Sequence, residues 1–134
     1  MNTKKFIITS IVVFIVFEIV SWIIHGFILM GAYQVTANLW RADMNSMMWI
    51  MWISDLVKSF VFVYIFIKGL EGKGWIEGLK FGFWLGLYVA IGMGFGTYAT
   101  QPIPFSLALQ WFIYTIIQLI ICGIVAAVIY KPKK

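Results

Sequence analysis

Residues 105–130 read FSLALQWFIYTIIQLIICGIVAAVIY, an unbroken apolar run without one charged side chain. An α-helix needs about 20 apolar residues to cross the hydrocarbon of a bilayer, and this run exceeds that. Working outward, three more segments of the same kind appear, at about 6–30, 46–67 and 75–95. The expected fold is an all-α membrane protein: an antiparallel bundle of four transmembrane helices forming one integral membrane domain over residues 1–134.

Composition agrees. Hydrophobic residues make up 63% of the 134 and charged residues only 11%, with a mean hydropathy of +0.97. Soluble domains carry about 25% charged residues. So few charges cannot cover this much apolar surface in water, whereas a surface facing lipid needs no such cover. The net charge of +5 does not point to nucleic acid, because Lys4, Lys5, Lys68, Lys73, Lys80, Lys131, Lys133 and Lys134 all flank apolar segments. They are placed to meet anionic headgroups. No basic helix face with interleaved aromatics is present to track a phosphate backbone.

The links between segments are short, which makes neighbours in sequence antiparallel. The first, 31–45, carries Arg41 and Asp43; the second reads KGLEGKG over 68–74; the third ends in QPIP over 101–104, which cannot continue a helix. The N-terminus, the middle link and the C-terminus hold eight lysines between them, against Arg41 alone on the other side. That asymmetry predicts both termini in the cytoplasm. The first segment follows Lys4 and Lys5 as a signal peptide would, but it is too long and lacks a small-residue cleavage site, so it reads as a retained helix.

Small residues recur at every fourth position of the third segment: Gly78, Gly82, Gly86, Ala90 and Gly94. Such a ridge lets another helix approach closely, so that van der Waals contact replaces the hydrophobic drive that lipid removes. The pattern, a glycine zipper, leaves open whether the partner is the second helix, the fourth, or another copy of the chain. Gly92, Gly94 and Gly96 mark a frayed or kinked outer end.

Charged groups within membrane helices usually face the protein interior and are candidates for function. Glu18 and His25 lie seven residues apart on one face of the first helix, and Asp55 and Lys58 three apart on the second. At 1.5 Å per residue, His25 and Gln110 lie about 7–8 Å deep, Asp55 and Tyr114 about 13–14 Å, and Glu18, Lys58 and Gln118 about 18–20 Å. Three separate segments thus offer polar groups at matching heights. We expect Glu18 to meet Lys58, and Asp55 to meet Lys58, His25 or Tyr114. Two carboxylates and one ammonium leave a negative charge over, which a proton on one group would balance.

Other constellations point elsewhere. Met44, Met47, Met48 and Met51 share a helical face near the outer end, with His25 on the same side of the membrane; thioethers suit Cu(I), but methionine is equally a gap-filling core residue. Cys122 is alone, so the chain can form neither an internal disulfide nor a cysteine-based metal site. His25 is also alone, so a bis-histidine haem would need two chains. No phosphate-binding loop, nucleophile elbow or H-E-x-x-H occurs, and no enzyme activity or cofactor is expected. Ser21, Ser54 and Ser59 lie in helices and are expected to bond to backbone carbonyls.

The segment with His25, Gly26 and Leu29, the pair Trp40–Arg41, the motif of Glu77, Gly78, Leu79 and Gly82, and Pro102, Ile103 and Pro104 together resemble small four-helix bacterial membrane proteins grouped as domains of unknown function. That resemblance implies a bacterial inner-membrane protein and supplies no activity. In architecture the chain is also similar to the small multidrug resistance transporters, which carry an essential glutamate in their first helix, as Glu18 would be here. Lys58 at the same depth departs from them, since it would repel or replace a cationic substrate.

Three functions follow. The first is a structural or accessory membrane protein, binding a larger membrane partner or assembling with itself, with a static polar cluster. The second is a small proton-linked transporter using Glu18 and Asp55. The third is a copper or redox module on the methionine face.

Overall fold

The computed structural model describes residues 1–131, so Lys133 and Lys134 lie outside the described residues. These fold into four long helices: α1 (Thr3–Ile28), α2 (Met44–Lys68), α3 (Trp75–Thr100) and α4 (Phe105–Ile129). Each is apolar and long enough to cross a membrane, and the chain is an integral membrane protein with four spans.

Helix α1 begins at Asn2, whose side chain accepts a hydrogen bond from the Lys5 N–H at 3.0 Å and so caps the first turn. It runs as an α-helix to Ser21 and then widens into a π-helical stretch, Trp22–Ile28. After a break at Leu29 the chain turns again as a short helix, Met30–Val35, and a 3-10 turn, Ala37–Leu39. Much of the link expected over 31–45 is therefore helical. The cause is a stripe at helical spacing, Leu29, Tyr33, Thr36 and Trp40, that turns inward: Leu29 and Thr36 are buried, and Tyr33 and Trp40 partly so.

The turn between α2 and α3 depends on two glycines with positive φ, Gly72 at 83° and Gly74 at 74°. The Glu77 carboxylate, in the first turn of α3, folds back on it, accepting the backbone N–H of Glu71 and, at 2.8 Å, that of Lys73. At the far end α3 does not fray near residue 95. It passes through a π-helical stretch, Gly92–Gly96, and continues to Thr100. Gln101 is extended, and Pro104 stands at the N-cap of α4.

The closest pairing is α3 against α4, so the small-residue ridge meets the fourth helix. Gly78 lies on Gly123, Gly82 on Leu119 and Ile120, Gly86 on Ile116, and Gly94 on Ala108. Positions rise on one helix as they fall on the other, so the pair is antiparallel. A Cβ added at Gly82 would sit 2.2 Å from the Leu119 carbonyl oxygen, and one at Gly78 2.1 Å from that of Gly123. The two backbones touch, and nothing larger than hydrogen fits.

Helix α1 lies against α2 on one side and α4 on the other. Phe81 of α3 closes the bundle at one end, with its ring 4.9 Å from Phe62 and 5.3 Å from Phe66 of α2. The apolar interior divides in two. One cluster gathers Val13, Phe62, Val63, Phe66, Leu119 and Cys122 toward the chain termini. The other gathers Ile24, Leu29, Ile103, Leu107 and Trp111 toward the opposite end. Glu18 of α1, Asp55 and Lys58 of α2 and Gln118 of α4 fall between them.

Candidate functional site: the polar belt

Asp55 and Lys58 stand one turn apart on α2, and the Lys58 ammonium donates to Asp55 Oδ1 at 3.0 Å. The two ends of this ion pair occupy different surroundings. The Asp55 side chain is 10% exposed and the Lys58 side chain 69% exposed. The carboxylate turns toward α1, while the ammonium lies on the outer surface of the bundle.

Glu18 of α1 neighbours this pair, with its carboxyl beside that of Asp55 and Lys58 within electrostatic reach. Its Oε1 is enclosed and has no hydrogen-bond partner among the described residues. The expected meeting of Glu18 with Lys58 is thus replaced by a Glu18–Asp55 neighbourhood. Lys58 reaches Asp55 along its own helix, a contact that needs no interhelical fit.

Gln118 of α4 joins the belt from the other side of α1. Its Nε2 donates to the Phe17 carbonyl at 3.0 Å and to Ser21 Oγ at 2.7 Å. Gln118 is buried, so these bonds satisfy an amide that would otherwise be stranded in apolar surroundings. Ser54 and Ser59 donate to the backbone carbonyls of Ile50 and Asp55, both at 2.7 Å, whereas Ser21 serves as acceptor for Gln118.

The other candidates lie apart. Gln110 donates to the Ser106 carbonyl on its own helix at 3.1 Å. Tyr114 packs against the Ile24–Trp111 cluster. His25 contacts Tyr33 through Nδ1 and Oη at 2.6 Å, and Trp111 Nε1 donates to the same Tyr33 oxygen at 2.8 Å. With Oη accepting from Trp111, its own proton is free for Nδ1, which fits a neutral imidazole protonated at Nε2. Trp40 extends the group, donating to Thr36 Oγ1 at 3.1 Å. Sequence reasoning did not find this aromatic group, because Tyr33 and Thr36 fall in a segment read as a link. The signal was the 4-3-4 spacing of Leu29, Tyr33, Thr36 and Trp40.

Met44, Met47, Met48 and Met51 line a shallow hollow of about 260 Å³ with Arg41 and Ile50. Arg41 is engaged by Asp43 at 2.9 Å and 3.0 Å, and its guanidinium holds the Asp43 carboxyl below its usual range. Among the described residues, no three His, Cys, Asp or Glu side chains gather closely enough to hold a metal ion. A larger hollow, about 590 Å³, opens where the chain ends meet and is lined by Asn2, Lys5, Leu70, Tyr130 and Lys131 among others. There Asn2 N–H donates to Tyr130 Oη at 3.0 Å, and Lys5 Nζ to the Lys131 carbonyl at 3.3 Å.

Among proteins already known, no family model, curated protein or solved structure matches this chain.

Proposed function

We propose that this protein is a non-enzymatic accessory component of the bacterial inner membrane, with both termini cytoplasmic, that works by binding another membrane-embedded protein. One observation carries the reading. Helix α2 leaves Lys58 exposed near the middle of a membrane span, together with Trp52, Ile53, Val57 and Val61. Lipid suits the apolar side chains, but an ammonium facing hydrocarbon is costly and calls for protein around it. The lysines at both chain ends and in the α2–α3 link support the orientation.

Photocrosslinking in intact cells tests the reading. A photoreactive side chain at Val57 or Val61 should give a defined protein adduct, and one at Tyr88, on the lipid-facing side of α3, should not. Absence of any adduct from α2 would remove the proposal.

A second reading, proton-linked transport, has an observation of its own in the enclosed Glu18 Oε1 beside Asp55. Infrared titration in lipid separates the two. An accessory protein with a static belt shows no carboxyl band titrating between about pH 5 and 8. A transporter shows one, and loses it in Glu18→Gln or Asp55→Asn.

A further inference from the structure

The exposed side of α2 has a second regularity. Met51, Ser54, Lys58, Val61 and Ile65 alternate in steps of three and four, the spacing of a helix-packing seam. Four of the five are exposed and Ser54 is half-buried, so no helix among the described residues covers the stripe. Lys58 sits at its centre, where a single polar residue sets the register of a partner helix.

The surroundings of Lys58 narrow what that partner carries. Lys58 lies about 15 Å from the Lys68 end of α2 and about 21 Å from the Met44 end. Its bond to Asp55 draws the ammonium toward the more distant end, so a four-carbon stem does not bring it to a lipid headgroup. Of its three N–H donors, one is engaged by Asp55. A second copy docking by the same stripe would set Lys58 against Lys58 across the two-fold axis, while Asp55 stays buried in each copy. A partner carboxylate would add a third acid to Glu18 and Asp55 around a single ammonium. A neutral oxygen acceptor satisfies the free donors without adding charge.

Building on the accessory reading, we propose that the Met51–Ile65 stripe receives a membrane-spanning helix of a different protein, one that places a carboxamide or hydroxyl against Lys58 near mid-bilayer.

The test uses the full-length protein in vesicles, labelled at its C-terminal tail, and dye-labelled Leu-Ala host helices with Gln, Glu or Leu at the central position. Energy transfer is followed at peptide dilutions where the hosts do not self-associate. The Gln host should bind about fivefold or more tightly than the Leu host. Lys58→Leu should erase that preference and Lys58→Arg should keep it, with circular dichroism of both matching wild type. Equal binding of the Gln and Leu hosts to the wild type overturns the proposal, as does tighter binding of the Glu host. So does Lys58-dependent transfer between two labelled copies, which would make the occupant a second copy. Should the hosts show no preference while the Val57 adduct still forms in cells, this inference fails and the accessory reading stands. Should no adduct form, the accessory reading itself fails.

Discussion

The α3–α4 and α1–α2 pairs are held together by different means. Along α3–α4 the glycines bring backbone against backbone, with Gly78 meeting Gly123 and Gly82 meeting Leu119, and the side-chain hydrogen bond across the pair among the described residues is a weak one, from the Thr115 hydroxyl to the Met93 sulfur at 3.5 Å. Along α1–α2 a half-buried Glu18 with one enclosed carboxyl oxygen, a buried Asp55 and an exposed Lys58 share one region, while apolar contacts such as Phe6 against Phe60 and Tyr64 lie nearer the chain termini. The first seam is complete within the chain. The second leaves donors on Lys58 and an oxygen on Glu18 without partners among the described residues. Lipid competes equally for all apolar surfaces, so close approach and hydrogen bonding distinguish one helix pair from another. One pair uses the former, and the other has begun on the latter.

The strongest way to break this contrast is Gly82→Val. Its Cβ would lie 2.2 Å from a backbone oxygen, so α3 and α4 must separate, and the expected loss exceeds about 3 kcal/mol in reversible unfolding from mixed micelles. Gly92→Ala sharpens the same point. Beyond its own turn of helix, no atom of the described residues lies within 4 Å of the added carbon, and stability should change by less than about 1 kcal/mol. If both substitutions cost the same, close approach is not what holds the pair.

Asp55→Leu comes next. It strands the Lys58 ammonium and should cost about 3 kcal/mol, the low end for a buried pair because Lys58 is at the surface. Adding Lys58→Leu should recover most of the loss, and a double-mutant cycle measures the coupling. Additive losses would mean that the pair does not stabilise the second seam. Gln118→Leu should have a smaller effect than Asp55→Leu. It removes two donations across α1–α4 and should cost about 1 kcal/mol, read in the same unfolding assay. A neutral result would place the belt's stability wholly on α1–α2.

Legibility followed the range of the cause. The four apolar runs and the four-residue spacing of Gly78, Gly82, Gly86, Ala90 and Gly94 are periodic and local, so the spans and the ridge could be read from the chain. Asp55–Lys58 could be anticipated because three residues on a helix bring two side chains together without help. Gln118 reaching Ser21 could be approached only through matched depth. Equal depth does not say which way a side chain turns, and Gln110, at the level of His25, bonds its own helix instead. Tyr33 was missed because the break at Leu29 hides a helix that resumes beyond it.

The sequence by itself determined that this is a membrane protein of four spans, because burial of apolar side chains in lipid depends on composition and length alone. It also determined which helix carries a surface for close approach. Only the tertiary structure decided that α4 fills that surface, that Glu18 neighbours Asp55, and that Lys58 faces outward. Those outcomes depend on the rotation of each helix about its axis. Rotation is set by the shapes of neighbouring helices acting together, and no single segment encodes it.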